Sequence, residues 1–181
     1  MSLIAISAGH YPARQGVKNS ETTEWREAMV WASVIARNLP GLGYMVPTGT
    51  LREKVGYINQ FKDTKLAVEI HFNDLTDGHD AVRGSESLYY PGSEKGKRAA
   101  EMVQDRLGII FSPNRGAKEG WYRLNPENGP DFFLAQTNCP AIIVEMGFFD
   151  HIVELRQQMG AACLIVARAL AEIASSDSRL L

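Results

Sequence analysis

Cysteine is scarce in this chain of 181 residues, which contains two, Cys139 and Cys163. Two cysteines are too few for a disulfide-rich scaffold. Neither belongs to a C-x-x-C pair, and without a neighbouring ligand at the usual spacing a zinc role for either is not expected. We therefore interpret both as small buried hydrophobic side chains.

Long hydrophobic runs are also missing. No segment reaches the roughly 20 apolar residues that are needed to span a bilayer. The N-terminus has no positively charged leader, and its apolar stretch at 3–8 is too short for a signal peptide. We expect a protein that is synthesised in the cytoplasm without a signal peptide. It would reach a substrate outside the membrane after release or export by another factor.

Charge of one sign is not concentrated anywhere along the chain. The formal net charge is −2, and there is no block of like charge and no basic stripe. This balance gives no reason to expect nucleic acid as a partner. Hydrophobic residues make up 45% and charged residues 22% of the chain, which is ordinary for a globular domain of this length with a sizeable core.

Hydrophobic periodicity predicts an alternation of strands and helices. The predicted strands lie at 3–8, 44–46, 66–72, 87–90 and 141–146, and the longer predicted helices at 24–39, 51–61, 95–107 and 152–173. This order favours an α/β fold, a single domain with a twisted, mostly parallel central sheet flanked by helices. We place the domain at 1–175 and a polar, frayed tail at 176–181. Residues 112–130, rich in Gly, Pro and Asn, are predicted to be exposed loops.

Ionisable residues stand at or near the ends of three predicted strands. His10 follows the first strand, His71 ends the third, and Glu145 lies in the last. Such groups are costly to bury unless they are paired or bound to a metal, and ligands gather at the carboxyl ends of strands in open α/β sheets. Together with one acidic residue from 21–27, the histidines could form a catalytic zinc site, with Glu145 as a proton shuttle. At this point Glu21, Glu24 and Glu27 all remain candidates, and an isolated histidine at a strand end is more often an ordinary residue.

Five segments spread over nearly the whole chain carry a family resemblance. They are Ser7-Ala8-Gly9-His10, Glu24 at the start of a predicted helix, Glu69-Ile70-His71-Phe72-Asn73, Arg115-Gly116-Ala117-Lys118, and Pro140-Ala141-Ile142-Ile143-Val144-Glu145-Met146-Gly147-Phe148. In this order they resemble the motifs of the zinc-dependent N-acetylmuramoyl-L-alanine amidases of phage endolysins and bacterial autolysins. The closing segment is the most specific of the five.

The resemblance implies a site and a reaction. His10, Glu24 and His71 would hold one Zn²⁺ per chain, and Glu145 would be the catalytic acid/base. Asn73 and Arg115 are predicted substrate contacts, although Asn73 could equally start a turn. The substrate would be peptidoglycan, cut at the amide between N-acetylmuramic acid and the L-alanine of the stem peptide.

Other functions remain open beside this one. Another zinc peptidase, such as a carboxypeptidase, could use the same scaffold, although the sequence has no H-E-x-x-H helix. A non-catalytic wall-binding module is the second alternative. The sequence does not separate a prophage lysis enzyme from a host autolysin, and it predicts neither the oligomeric state nor the stem-peptide specificity.

The sequence departs from the family pattern near the proposed site. Tyr11-Pro12 replaces glycines after the first histidine, Glu69 replaces a serine, and His151 replaces an asparagine. Glu69 could fix the imidazole of His71 or could be a salt-bridged strand carboxylate. His151 could approach the site or could lie on the surface. Two loop aromatics, Trp121 and Tyr122, could stack on substrate or simply pack locally, and His79 is predicted to lie at a loop surface.

Overall fold

A computed structural model describes residues 3–75, 82–120 and 132–176. Its strands are β1 (Leu3–Ala8), β2 (Gly43–Met45), β3 (Thr64–Asn73), β4 (Ser85–Tyr89), β5 (Asn114–Glu119) and β6 (Ala141–Phe148). Its helices are α1 (Glu24–Arg37), α2 (Leu51–Ile58), α3 (Glu94–Ile110), α4 (Phe132–Gln136), α5 (Ile152–Gln157) and α6 (Met159–Ser175). The predicted α/β fold is confirmed.

The strands form a mixed sheet in the order β2-β1-β3-β6-β4-β5. The pairings of β1 with β2, β1 with β3, β3 with β6 and β4 with β5 are parallel, and that of β4 with β6 is antiparallel. The sheet is therefore mostly parallel, as predicted. Because β1, β3 and β6 are neighbours that run in the same direction, their carboxyl ends meet at one edge.

The two faces of the sheet have different chemistry. One face carries fully buried aliphatic residues such as Ile6, Val68 and Val144, which form the main core with α1, α3 and α6. The other face begins as a smaller core with Ala67 and Ile143, against residues of α2 and α4. Since side chains alternate along a strand, this second face becomes polar toward the carboxyl ends of β1, β3 and β6, where it carries Ser7, Glu69, His71 and Glu145. Glu86 of the antiparallel β4 lies opposite Glu145.

Local signals explain where the helices begin. Thr23 caps α1, and its side chain accepts a hydrogen bond from the backbone N–H of Arg26, so Glu24 occupies the first turn. Thr50 and Glu53 form a reciprocal capping box at α2. The first cap matters for function because it fixes the position of Glu24.

Two expectations from the sequence were wrong. Asn114–Glu119, placed in a loop, forms the edge strand β5; it lacks an apolar alternation because it is only half buried. The predicted helix at 152–173 is interrupted at Gln158. Its apolar residues serve two partners, since α5 contacts β6 whereas α6 contacts α1 and α3.

The cysteines are free, and Cys163 is buried whereas Cys139 is only partly so. Within the described ranges, no single helix is long and apolar enough to cross a bilayer. The helical segments Phe149–Gln157 and Met159–Ser175 would pass that test only together, and they are bent by 90°.

Candidate metal and catalytic site

The carboxylate of Glu24 lies between the two histidines. Its Oε2 is 2.7 Å from Nε2 of His10, and its Oε1 is 2.9 Å from Nδ1 of His71. One candidate ligand atom from each residue can be chosen so that all three lie within 4.8 Å of one another. Three elements meet here: the segment after β1 supplies His10, the first turn of α1 supplies Glu24, and the end of β3 supplies His71.

The backbone is shaped closely around this cluster. His10 has φ 60, in the left-handed region that a non-glycine residue rarely occupies. A Cβ on Gly9 would lie 2.4 Å from the ring of His71, and one on Gly16 would lie 2.3 Å from Glu24 Oε2. The chain therefore passes so near the donor atoms that only glycine fits at these two positions.

The electrostatics of the cluster depend on its hydrogen bonds. Burial disfavours the charged form of Glu24, but hydrogen bonds from His10 and His71 outweigh it and hold its pKa well below the usual range. Burial likewise lowers the pKa of His71, yet its hydrogen bonds to Glu24 and Glu69 raise that pKa well above the ordinary value. The site thus carries an anionic carboxylate that both imidazoles contact.

Glu145 lies beside this cluster with one oxygen unsatisfied. Its Cα is the register partner of His71 across β3 and β6. Its Oε2 is buried and has no hydrogen-bond partner within the described part of the chain. Burial raises its pKa to about 8, the negative charges of Glu24 and Glu86 act in the same direction, and His71 opposes them. A carboxyl group in this state can hold a proton near neutral pH, as an acid/base catalyst must.

Glu69 and Lys54 form a buried ion pair on the other side of His71. Lys54 Nζ is 3.0 Å from Glu69 Oε1, and Glu69 Oε2 is 3.3 Å from Nε2 of His71. Burial opposes ionisation of Glu69, but the contacts with His71 and Lys54 hold its pKa below the ordinary value. The sequence left two alternatives for Glu69, a contact with His71 and a salt bridge, and the structure contains both.

Glu86 organises the opposite flank of the site. Its carboxylate accepts hydrogen bonds from Arg115 Nε at 3.0 Å, from Lys118 Nζ, and from Asn73 Nδ2 at 3.2 Å. These cations outweigh burial and lower the pKa of Glu86. The two predicted substrate contacts, Asn73 and Arg115, are thus held by a buried residue that the sequence analysis did not single out, and their contact with substrate stays a prediction.

The other residues singled out from the sequence lie elsewhere or were not described. Glu27 Oε1 accepts hydrogen bonds from Thr22 and Arg156, and Glu21 is mostly exposed, so neither belongs to the cluster. His151 contacts Arg83 and the carbonyl of Val82, in a different cavity. His79, Trp121 and Tyr122 fall outside the described residues.

Two cavities meet at His10 and His71. The Glu145 cavity, of about 470 Å³, is also lined by Gly16, Glu24, Asn73, Asp74 and Glu145. The Arg14 cavity, of about 480 Å³, is also lined by Tyr11, Arg14, Thr50, Arg52 and Glu69. The cluster therefore lies at the boundary between the two cavities.

Sequence reasoning missed Lys54 and Glu86, although weak signals were present. Lys54 lies four residues before the inward-facing Ile58, so both share one face of α2. Glu86 lies two residues before Leu88, so both share one face of β4. A charged residue at a core-facing position is a signal for a buried ion pair, but its partner cannot be found from local spacing.

The donor set fits a divalent metal such as zinc, because two imidazole nitrogens and a carboxylate oxygen are the ligands of many catalytic zinc sites. Glu145 lines the same cavity as the cluster, and its buried Oε2 has no hydrogen-bond partner among the described residues. Fold and site together define a class: an α/β domain with a two-histidine, one-carboxylate cluster and a neighbouring buried carboxyl group, an arrangement that is found in metal-dependent hydrolases.

The comparisons with known proteins agree with this class. A family model described as N-acetylmuramoyl-L-alanine amidase matches residues 4–171. The chain therefore belongs to the N-acetylmuramoyl-L-alanine amidase family and is an amidase. No curated protein sequence matches it significantly.

Solved structures share the fold at low sequence identity. AmiC2 of Nostoc punctiforme, an N-acetylmuramoyl-L-alanine amidase, superposes with a TM-score of 0.79 at 20% identity, covering 94% of this chain and 96% of that one. The catalytic domain of CwlV, an amidase from Bacillus (Paenibacillus) polymyxa var. colistinus, gives 0.74 at 19%, with 96% of each chain covered. The catalytic domain of the CD27L endolysin, which targets Clostridia difficile, gives 0.72 at 23%, with 96% and 97% covered.

Proposed function

We propose that this chain is a zinc-dependent peptidoglycan amidase that cuts between N-acetylmuramic acid and the L-alanine of the stem peptide. The proposal rests on one observation above all: the buried, unpartnered oxygen of Glu145 lies beside a His-Glu-His donor set in a member of the amidase family. It extends the family activity by naming the metal, its ligands and the acid/base.

His10, Glu24 and His71 would hold the zinc. A bound zinc would supply Lewis acidity, polarising the scissile carbonyl and making a water acidic enough to attack near neutral pH. Glu69, which is hydrogen-bonded to Nε2 of His71, would keep the ring in place during the reaction. Three protein ligands leave room for a reacting group, which is the arrangement of catalytic rather than structural zinc sites.

Glu145 would move the proton. Its carboxylate takes a proton from the water as the water oxygen attacks the lactyl carbonyl carbon. The resulting carboxylic acid then donates that proton to the alanine nitrogen as the C–N bond breaks, leaving a free amine and a lactyl carboxylic acid, which ionises by releasing the second proton of the water to solvent. The raised pKa of Glu145 suits both halves of this cycle, although the charge of a bound dication would lower it.

The two cavities suit a substrate that is extended on both sides of the scissile amide. With the carbonyl at the cluster, the sugar and the peptide would each occupy one cavity. We propose in addition that the enzyme acts on the cell wall after release or export by another factor, as expected from the sequence.

Digestion of purified peptidoglycan tests the proposal. The zinc-loaded protein should release stem peptides that begin with a free L-alanine amine and leave the glycan strands intact, as measured by mass spectrometry. The Glu145→Gln variant is the matched control, because it keeps the size of the side chain and removes its proton chemistry. Release of single C-terminal amino acids would instead identify a carboxypeptidase, and binding to the wall without any product would identify a non-catalytic module.

A further inference from the structure

Lys54 and Glu69 form an ion pair that is almost completely excluded from solvent. Their side chains are 2% and 1% exposed, and Nζ lies 3.0 Å from Oε1. Taking two charges out of water costs about as much as their mutual attraction returns, so a buried pair is not explained by stability alone. The other contacts of the pair indicate a different role. They are made with the two histidines of the cluster, His10 and His71, and with the end of β1, which precedes His10.

Lys54 uses all three protons of its ammonium group within the protein. It donates to Glu69, to the carbonyl of His10 at 2.8 Å and to the carbonyl of Ala8. An ammonium group has three donors, so none remains for a substrate. The two carbonyls flank Gly9, at the point where the chain leaves β1 and His10 takes up its left-handed conformation. Lys54 therefore holds the backbone that presents the first histidine.

Glu69 holds the second histidine by its ring. Its Oε2 lies 3.3 Å from Nε2 of His71, while Nδ1 of the same ring faces Glu24 Oε1 at 2.9 Å. An ionised carboxylate can only accept hydrogen bonds, and each ring nitrogen of His71 faces one, so without a metal both nitrogens donate. A metal bound between His71 and Glu24 would replace the proton on Nδ1, and the contact with Glu69 would keep the other proton on Nε2. Glu69 thereby selects which nitrogen can bind a metal.

Ser7 and the short spacing along β3 make the arrangement rigid. Ser7 Oγ donates to Glu69 Oε1 at 3.3 Å, and Glu69 and His71 are two residues apart on one face of the same strand. The carboxylate is therefore fixed by a serine, a lysine and a histidine at once. No rotation of the His71 ring is possible without breaking a buried contact.

We propose that Lys54 and Glu69 are a positioning pair for the metal site, which ties the backbone of His10 to the ring of His71 and commits His71 to bind through Nδ1. The inference rests on the zinc site of the proposed function. It adds two residues that act through the histidines rather than by binding the metal themselves. Removal of an outer partner of a metal-binding histidine typically lowers metal affinity by roughly ten- to a hundredfold.

The test must separate positioning from simple stability, because each single variant leaves an unpaired buried charge. The double variant Lys54→Met/Glu69→Leu removes both charges and fills the space with apolar atoms, so its free energy of unfolding should recover relative to the single variants. The matched control is Glu86→Gln, which alters an equally buried carboxylate on the same sheet face. The partners of Glu86 include Arg115, Lys118 and Asn73.

The decisive measurements are zinc affinity, by competition with a chelator, and the protonated nitrogen of His71 in the zinc-loaded protein, by ¹⁵N NMR. We expect Nε2 of His71 to carry the proton in the wild type, and the double variant to bind zinc roughly ten- to a hundredfold more weakly although it is folded. The control should keep the wild-type affinity and tautomer. A double variant with wild-type zinc affinity, or a wild type with the proton on Nδ1, would overturn the inference.

These outcomes are distinct from failure of the proposed function. Neither measurement uses substrate, so a wild type that binds zinc as described but does not cut peptidoglycan would refute the amidase mechanism and leave the positioning pair intact. Conversely, an active wild type whose double variant binds zinc normally would refute the pair alone. A wild type that does not bind zinc refutes both.

Discussion

His71 and Glu145 are register partners on the adjacent parallel strands β3 and β6. Partners in a sheet project from the same face, so the strand pairing itself places the proposed metal ligand beside the proposed acid/base. A shift of one residue in this register would turn one of the two side chains into the apolar core on the other face. The backbone pairing of β3 with β6, and not a loop, holds the two residues side by side. We therefore expect that a substitution at either residue leaves the position of the other unchanged.

The Glu145→Gln variant should retain zinc and lose most hydrolysis. Glutamine keeps the size of the side chain but cannot carry the proton, and general acid/base catalysis contributes roughly a hundred- to ten-thousand-fold. Turnover on peptidoglycan, measured together with bound zinc, checks this prediction. Near wild-type turnover with zinc bound would mean that Glu145 has a structural role only.

The sequence was informative wherever an apolar run ended in a polar residue. His10 and His71 follow or end buried strands, so local pattern was enough to place both near the carboxyl ends of strands. Local pattern left Glu21, Glu24 and Glu27 as candidates for the acidic partner, and the choice of Glu24 came from the family resemblance. The mostly parallel sheet followed from the same runs, since continuous apolar strands alternating with helices are typical of parallel sheets.

The parts that could not be predicted depend on partners distant in sequence. β5 is recognised by its pairing with β4, because its own residues have no apolar alternation. The pair of Lys54 with Glu69 joins a helix to a strand, and Glu86 joins three side chains from two other strands. Local spacing gives the face on which such a charge lies, but the partner is set by the tertiary fold.

Substitution of the candidate acidic ligands should separate Glu24 from its neighbour on the same helix. Glu24→Gln removes the carboxylate that lies between the two histidines, and we expect zinc affinity to fall by more than the roughly tenfold that is typical of losing an outer partner. Glu27→Gln should leave zinc affinity unchanged, because Glu27 binds Arg156 instead. The opposite result, a severe loss in Glu27→Gln alone, would overturn the ligand assignment.

Glu27 should instead contribute to acid stability. Burial opposes its ionisation, but Arg156 and Thr22 lower its pKa below the ordinary 4.5. A lowered pKa in the folded state gives stability that is complete above pH 4.5 and is lost as the pH falls through the folded-state value. Glu27→Gln should therefore lower the free energy of unfolding by about 1–2 kcal/mol near neutral pH; the effect is modest because Arg156 is partly exposed. The loss should be smaller in acid, where the wild-type Glu27 is itself protonated.

Denaturant titrations at several pH values measure this difference. The control is Glu172→Gln, which breaks the exposed pair with Arg106 and should not change stability measurably. A Glu27→Gln deficit that stays constant from neutral pH into acid would show that the ion pair is not its cause.

Gly16 offers the most direct test of how closely the backbone surrounds the cluster. Its φ is +70, and an added Cβ would lie 2.3 Å from Glu24 Oε2 and 2.6 Å from the ring of His10. Gly16→Ala must therefore displace two of the three candidate ligands, and we expect both a loss of stability and a large loss of zinc affinity.

Gly41 supplies the matched control for this substitution. It has nearly the same conformation, φ +72, but a Cβ there would meet nothing within 4 Å. Each alanine should cost about 1–2 kcal/mol for the left-handed backbone, measured by denaturant unfolding of the metal-free protein. Because the backbone penalty is shared, any difference in zinc affinity between the two variants reports the contact with Glu24 and His10. Equal zinc affinities would mean that the segment around Gly16 can move away without disturbing the ligands, and would contradict a rigid, preformed site.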